Sequence, residues 1–414
     1  MKFSYQHAGV THDSIKKLTA QFSVQKLNNI ADKETRARIQ DLAEKLYAKV
    51  RPTFVVVIGI GGSSLGTQAV YEALRDHLEP DTYFFCADTV DGHMTHDLYM
   101  KIERELSCGT QFVFVIVSKS GKTTETMVNA AVFVDLLREF YPEKYHEYIV
   151  VITDKNSPLW NIAQEHNYAK LEVPHDVGGR FSVFTAVGLF PLALQGIDIE
   201  QLCAGAEQAQ QDCTQIDEKN YAATSAVILY EQYQTGKRIH DTFLFAPYLA
   251  QCGAWYRQLL GESIGKRYNK QGEDVRVGIV PTVSVGSNDL HSVAQLYLAG
   301  PYDIMTTFVS VKAKLWVKIP QNEFSCVDGI ELGGPGVEVV QEAIFAGTQE
   351  AYAQDGRPFM HIELEDLNAF ELGYLIQMKM YEIVYLGLLF DINVFDQPQV
   401  ELYKKATRAL LAKS

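Results

Sequence analysis

The chain has 414 residues, 47% of them hydrophobic, which is enough for a large core and, by length, for two domains or two lobes. A net charge of -14 with no basic stripe argues against nucleic acid as a partner, although a few lysines and arginines can still make a cleft locally positive toward an anionic substrate. No apolar run reaches the ~18 residues that a bilayer span needs, so no membrane partner is expected.

The N-terminus, Met1-Lys-Phe-Ser-Tyr-Gln-His-Ala, lacks the apolar core of a signal peptide. The cysteines at 86, 108, 203, 213, 252 and 326 are scattered without a C-x-x-C pair and read as reduced thiols. A cytoplasmic location and the absence of a metal site are therefore expected. An N-terminal arm, 1–49, carries a helix near 31–49. Strands then fall near 53–58, 82–86, 111–117 and 147–152, with helices near 64–77, 95–106 and 123–140 between them. A helical connector follows at 198–236. The alternation restarts with strands at 241–246, 276–280, 304–312 and 358–364 and helices near 250–260, 335–353 and 366–389. This α/β pattern predicts two doubly wound lobes, 50–197 and 237–394, each a parallel sheet flanked by helices, followed by a terminal helix within 395–414. Ligands of such sheets bind beyond the carboxyl ends of the strands.

Two turns stand at that end of the first lobe. Phe54-Val-Val-Val-Ile58 runs into Gly59-Ile-Gly-Gly-Ser-Ser-Leu-Gly66, and Phe112-Val-Phe-Val-Ile-Val runs into Ser118-Lys-Ser-Gly-Lys-Thr-Thr-Glu-Thr126. The second offers hydroxyl donors at Ser118, Ser120, Thr123 and Thr124, a permissive Gly121, two lysines and the unpaired N–H groups of a helix start. That is a phosphate site, or else a serine-threonine turn that only caps a helix. The first fits a dinucleotide fingerprint poorly, because its third glycine position is Ser64. A nucleotide P-loop ending at Gly121-Lys122-Thr123 would need glycine at Ile116.

Four later clusters carry polar chemistry. Arg180, after Gly178-Gly179, can reach an oxyanion or bridge to a carboxylate. Glu262 lies in a glycine-bounded turn beside Lys266 and Arg267, as a general base or a surface ion pair. His291 stands at a helix start with Asn288 or Asp289 as cap. Finally, Phe395-Asp-Gln-Pro398 starts a short helix at Pro398 and places Lys404 two turns along.

Taken in order, the turn at 59, the loop at 118, Gly-Gly-Arg-Phe-Ser at 178, Gly-Glu-Ser at 261, Asn-Asp-Leu-His-Ser at 288 and Phe-Asp-Gln-Pro at 395 resemble the glucose-6-phosphate isomerase family from about residue 50 to 405. The resemblance implies two sugar-isomerase lobes and cofactor-free interconversion of glucose 6-phosphate and fructose 6-phosphate. It implies that Ser118, Lys119, Ser120 and Thr123 hold the phosphate, with Gln397 near it and Gly62 and Ser63 close to the sugar. Arg180 would stabilise an enediolate, Glu262 would move the proton between C2 and C1, and His291 and Lys404 would open the ring. It also implies a homodimer whose active site is completed by the neighbouring subunit's histidine. Three positions depart from the family pattern: Ile264 for Asn, Lys122 for Thr and Gln399 for Gly. The alternatives are a sugar-phosphate sensor of the same fold, against which the joint presence of Glu262, His291, Arg180 and Lys404 counts, and an isomerase that also takes mannose 6-phosphate. A sugar kinase fails on the missing P-loop glycine.

Overall fold

A computed structural model describes residues 1–6, 27–78, 80, 82–215, 219–312, 314 and 317–413. Residues 7–26 of the N-terminal arm lie outside them. The chain opens with β1 (Lys2–Gln6) and α1 (Lys33–Val50), the latter capped by Asp32, which accepts from Thr35 N at 2.8 Å. The first lobe runs β2 (Phe54–Ile58), α2 (Leu65–Leu74), β3 (Tyr83–Ala87), α3 (Gly92–Ser107), β4 (Phe112–Val117), α4 (Thr124–Phe140), β5 (Ile149–Thr153), α5 (Pro158–Glu165) and β6 (Ala169–Glu172). Helices α6 (Ala186–Leu194), α7 (Ile199–Cys213) and α8 (Tyr221–Gln234) follow.

The second lobe begins with β7 (Ile239–Leu244) and α9 (Ala250–Ile264), then a ribbon of β8 (Lys266–Tyr268) and β9 (Asp274–Val277). It continues with β10 (Val280–Val285), α10 (Ala294–Ala299), β11 (Ile304–Val311), a small hairpin of β12 (Cys326–Val327) and β13 (Ile330–Glu331), α11 (Val337–Gln354), β14 (Phe359–Leu364), α12 (Ala369–Leu389) and α13 (Val400–Leu411).

Five strands in the order β3-β2-β4-β5-β6 form an all-parallel sheet. Strands β2, β4 and β5 are apolar and buried over nearly their whole length, as a sheet covered on both faces requires. The second sheet, β1-β14-β11-β7-β10, is parallel except for β1, which pairs antiparallel to β14. The arm is thus not wholly helical: its first residues finish the second lobe's sheet. The expected strand at 276–280 is also displaced. That stretch spans the end of β9 and the start of β10, and the sheet strand lies at 280–285. Pro281 is tolerated there because β10 is an edge.

One continuous apolar core joins the lobes. It takes Val55, Val57 and Val115 from the first sheet, Met305, Val309 and Met360 from the second, and the buried apolar faces of α6, α7, α8, α9 and α12. Helices α7 and α12 approach closely because each presents a glycine to the other's backbone: a Cβ on Gly205 would lie 1.9 Å from Phe370 O, and one on Gly373 would lie 2.0 Å from Leu202 O. The outer faces of the sheets bury separate aromatic clusters, Phe54, Phe112, Phe114 and Phe133 in the first lobe and Phe243, Phe245 and Phe308 in the second. Among the described residues no helix is long and apolar enough to cross a membrane.

Candidate active site

The carboxyl ends of β2 and β4 carry the two glycine-serine turns, as the parallel sheet demands. After β2, residues Gly61–Ser63 form a 3₁₀ turn whose backbone packs against a second 3₁₀ turn, Gly179–Phe181. The approach is close: a Cβ on Gly62 would lie 2.3 Å from Gly179 C. Ser182 Oγ donates to Gly62 O at 3.2 Å and Gly179 O at 2.8 Å, locking the turns together. Gly62→Ala is therefore expected to force the turns apart and to lower stability by about 1–3 kcal/mol, as an overpacked interior does. Thermal denaturation checks this, and an unchanged midpoint would contradict the geometry.

The 178–181 turn delivers Arg180, whose side chain is 4% exposed. Its Nε donates to Ser263 Oγ at 3.0 Å, Nη1 to Glu262 Oε2 at 2.7 Å and to Gln397 Oε1, and Nη2 to Val394 O at 2.8 Å. Four of the five guanidinium protons are thus committed. Glu262 is not in a turn. Helix α9 continues through Gly261 to Ile264, and its inner face buries Leu259, Leu260, Ser263 and Ile264, so packing outweighs the roughly 1 kcal/mol cost of a helical glycine. The carboxylate, 34% exposed, faces the cleft between Arg180 and Gln258, whose Nε2 donates to Glu262 Oε1 at 3.2 Å. Gln258 also meets the first glycine turn, since a Cβ on Gly61, at φ +60°, would fall 2.9 Å from its Nε2. Of the basic neighbours, Lys266 binds Glu262 O at 2.9 Å and Asp396 O at 2.5 Å, while Arg267 pairs with Asp274 instead. Burial draws the Lys266 ammonium below the ordinary lysine range, opposed by Asp396.

The loop after β4 closes on itself. Ser118 Oγ and Thr123 Oγ1 are 2.9 Å apart, Gly121 N donates to Ser118 O at 3.1 Å, and Lys122 N donates to Ser120 Oγ at 3.3 Å. Thr123 sits at the N-cap of α4 but makes no side-chain capping bond, so the helix-start N–H groups are not satisfied by it. Gly121, at φ +62°, lies against α5, where a Cβ would be 2.8 Å from Leu159 Cβ. Lys119 Nζ binds the carbonyls of His175 at 2.6 Å and Val177 at 2.9 Å, tying the loop to the segment that leads to Arg180 and leaving one ammonium proton uncommitted. Ser120 and Lys122 are exposed, and Ser63 is half-buried.

Asp154 supports this loop from behind. Its N–H donates to Lys119 O at 3.3 Å, and its carboxylate accepts from Asn156 N at 2.8 Å and meets His175 Nδ1 at 2.8 Å. The Asn156 N–H first, then His175, hold the carboxyl below the usual carboxylate range. A depressed folded-state value means the stabilisation is complete above the unfolded carboxylate's ~3.9 and is lost as pH falls through the folded value. Asp154→Asn is accordingly expected to lower the melting midpoint at pH 7, with the gap to wild type closing as pH falls below about 3.9. A gap that widened in acid would overturn this.

Two expected site residues are not brought to this cluster. His291 is exposed and ends the 3₁₀ turn Asn288–His291, and neither Asn288 nor Asp289 caps a helix there. Asp289 instead accepts from Val285 N at 2.7 Å and Ser292 Oγ at 2.8 Å. Lys404 lies one turn, not two, into α13, which begins at Val400 rather than Pro398. Its Nζ binds Glu401 at 2.9 Å, and no residue of α13 is buried. The three departures are locally benign. Ile264 is fully buried in the core, Lys122 is exposed, and Gln399 has φ -69°, so no glycine-like backbone is needed. Among the described residues no group of three or more histidine, cysteine, aspartate or glutamate side chains is placed to hold a metal ion.

Comparison with known proteins gives one picture. The sequence pattern of a family described as phosphoglucose isomerase matches residues 19–414. A glucose-6-phosphate isomerase of Fusobacterium nucleatum is 35% identical over 393 residues, covering 92% of this chain and 84% of the relative. One from Carboxydothermus hydrogenoformans is 34% identical over 391 residues, with 92% and 83% covered. Among solved structures, a hypothetical protein from Thermus thermophilus superposes with a TM-score of 0.80 at 30% identity, covering 97% of this chain and 94% of that one. A glucose-6-phosphate isomerase from Chlamydia trachomatis shares the fold at a TM-score of 0.78 and 23% identity, covering 97% and 78%.

Proposed function

The chain belongs to the phosphoglucose isomerase family, and on that footing we propose that it interconverts glucose 6-phosphate and fructose 6-phosphate, in glycolysis and gluconeogenesis. The observation that carries the reading is the 2.7 Å contact between the buried Arg180 guanidinium and the half-buried Glu262 carboxylate at the mouth of the glycine turns. Removing a proton next to a carbonyl needs a positioned base and a cationic donor for the developing oxyanion, and these two groups are such a pair.

In this reading the phosphate rests on the 118–123 loop, held by Ser118, Ser120, Thr123 and the spare Lys119 proton, with Gln397 near it and Gly62 and Ser63 at the sugar. Lys119 also sets the loop's position through its two carbonyl contacts. Once the ring is open, the Glu262 carboxylate takes the C2 proton and becomes a carboxylic acid. The electron pair moves into a cis-enediolate whose O1 oxyanion Arg180 stabilises, a proton passes from O2 to O1, and Glu262 returns its proton to C1 as C2=O forms, giving the ketose and the carboxylate again.

Ring opening falls to Lys404 and His291. The exposure of His291 and its separation from the Arg180 cluster favour its acting in a neighbouring subunit's site, so the active form is a homodimer. Light scattering of active protein should give twice the chain mass, and a strictly monomeric active preparation would contradict it. The six unpaired cysteines support a cytoplasmic setting.

The test is conversion of fructose 6-phosphate by the purified chain, read by coupling glucose 6-phosphate to an NADP-dependent dehydrogenase. Turnover is expected. Tight sugar-phosphate binding without turnover would replace this reading with that of a sensor.

A further inference from the structure

Behind the cleft, on the buried side of α9, lies a polar cluster that the proposed chemistry does not use. Tyr256 OH donates to Glu382 Oε1 of α12 at 2.5 Å. The other carboxylate oxygen accepts from Lys379 Nζ at 2.8 Å and from Ser225 Oγ of α8. Tyr256 OH also lies 3.4 Å from His240 Nδ1 on β7, and His240 Nε2 meets Thr307 Oγ1 of β11 at 2.7 Å. The Lys379 ammonium stands 4.8 Å from the Tyr256 ring centroid. All six side chains are buried, and Glu382 is fully so.

Stability alone is a weak reason for this arrangement, because desolvation of a buried ion pair cancels most of its attraction relative to apolar residues of the same size. The surrounding core is built of such residues, among them Leu260, Ile376 and Ile383. What directional hydrogen bonds add to apolar packing is a fixed register between the elements they join.

The elements joined here are the two that build the reacting pair. Helix α9 carries Gln258 and Glu262 within two turns after Tyr256. Beyond α12 the chain doubles back so tightly that a Cβ on Gly387 would lie 2.2 Å from Val394 Cγ1, and Val394 O and Gln397 hold Arg180. Glu382 therefore stands between the helix that bears the base and the helix whose continuation holds the arginine.

We infer that the Tyr256–Glu382–Lys379 cluster positions the Glu262–Arg180 pair by fixing the register of α9 against α12. This rests on the reaction proposed above. The residues are positioning residues, since none touches the cleft groups directly.

Two single-hydroxyl deletions on the same carboxylate separate positioning from mere stability. Tyr256→Phe cuts the link to α9, and Ser225→Ala cuts the link to α8, which carries no site residue. Both should lower the melting midpoint. Only Tyr256→Phe should lower kcat per folded molecule, by roughly tenfold or more as small misplacements of a base do, while the affinity for an unreactive sugar-phosphate analogue stays as in wild type. Equal kcat in the two variants overturns the inference. If Tyr256→Phe does not fold, Glu382→Gln, which keeps the volume and one acceptor oxygen, carries the same test: kcat should fall with analogue affinity unchanged, and an unchanged kcat overturns it. A wild type without turnover refutes the proposed reaction. A wild type that turns over beside a Tyr256→Phe matching Ser225→Ala refutes the positioning role alone.

Discussion

Glu262→Gln is expected to bind a sugar phosphate as the wild type does and to lose turnover by roughly 10²- to 10⁴-fold, the usual contribution of a positioned base. The amide keeps the side chain's length and one oxygen that can accept from Arg180 Nη1, so the contact at 2.7 Å has a substitute and the cleft should keep its shape. What is lost is the capacity to take a proton at neutral pH. The loop proposed to hold the phosphate joins β4 to α4, with no contribution from α9, which is why binding should survive. Coupled turnover and calorimetric titration with an unreactive phosphate-bearing analogue measure the two effects separately. Near-normal turnover would remove Glu262 from the mechanism. Lost binding with normal turnover at saturation would make it a binding residue instead.

Arg180→Met should act on rate and fold together. Its removal deprives the buried Val394 O and Ser263 Oγ of a donor and takes the cation from the partly exposed Glu262 and the exposed Gln397, a loss of about 1–3 kcal/mol that falls mainly on the two buried acceptors. The rate should fall by roughly 10²- to 10³-fold, as when an oxyanion donor is deleted. Arg180→Lys separates the two. A lysine restores charge but not the planar fork that reaches Ser263, Glu262, Gln397 and Val394 at once, so it should recover part of the stability and little of the rate. Wild-type kcat in Arg180→Lys, measured in the same assay, would show that only charge matters there.

Much of the scaffold was legible because local signals agreed. The apolar runs before residues 59 and 118 are strands that a doubly covered parallel sheet needs, and a glycine- or hydroxyl-rich turn after each places it at the ligand end. Legibility failed where distant packing decides. Gly261 and Gly265 suggested a turn around Glu262, whereas α9 runs through to Ile264 because its inner face is buried; Gln258, one helical turn before Glu262, was missed for the same reason. The i, i+4 spacing of Gln258 and Glu262 was the available signal. Arg180 had two open readings, and only the fold brings it to a carboxylate 82 residues away. The strand at 276–280 was misplaced because the valines on both sides of Gly278 form one apolar stretch, and the division into β9 and β10 depends on which partner each finds. His240, Tyr256 and Glu382 left no local trace, since buried polar residues far apart in sequence look like surface residues until the core closes around them.

The most direct measurement of the account is release of the C2 hydrogen of glucose 6-phosphate to solvent, followed with substrate tritiated at C2, in wild type and Glu262→Gln side by side. The account predicts release by the wild type and none above background by the variant while the variant still binds the phosphate-bearing analogue. Release by Glu262→Gln at the wild-type rate would contradict it, and would assign the proton transfer to another group.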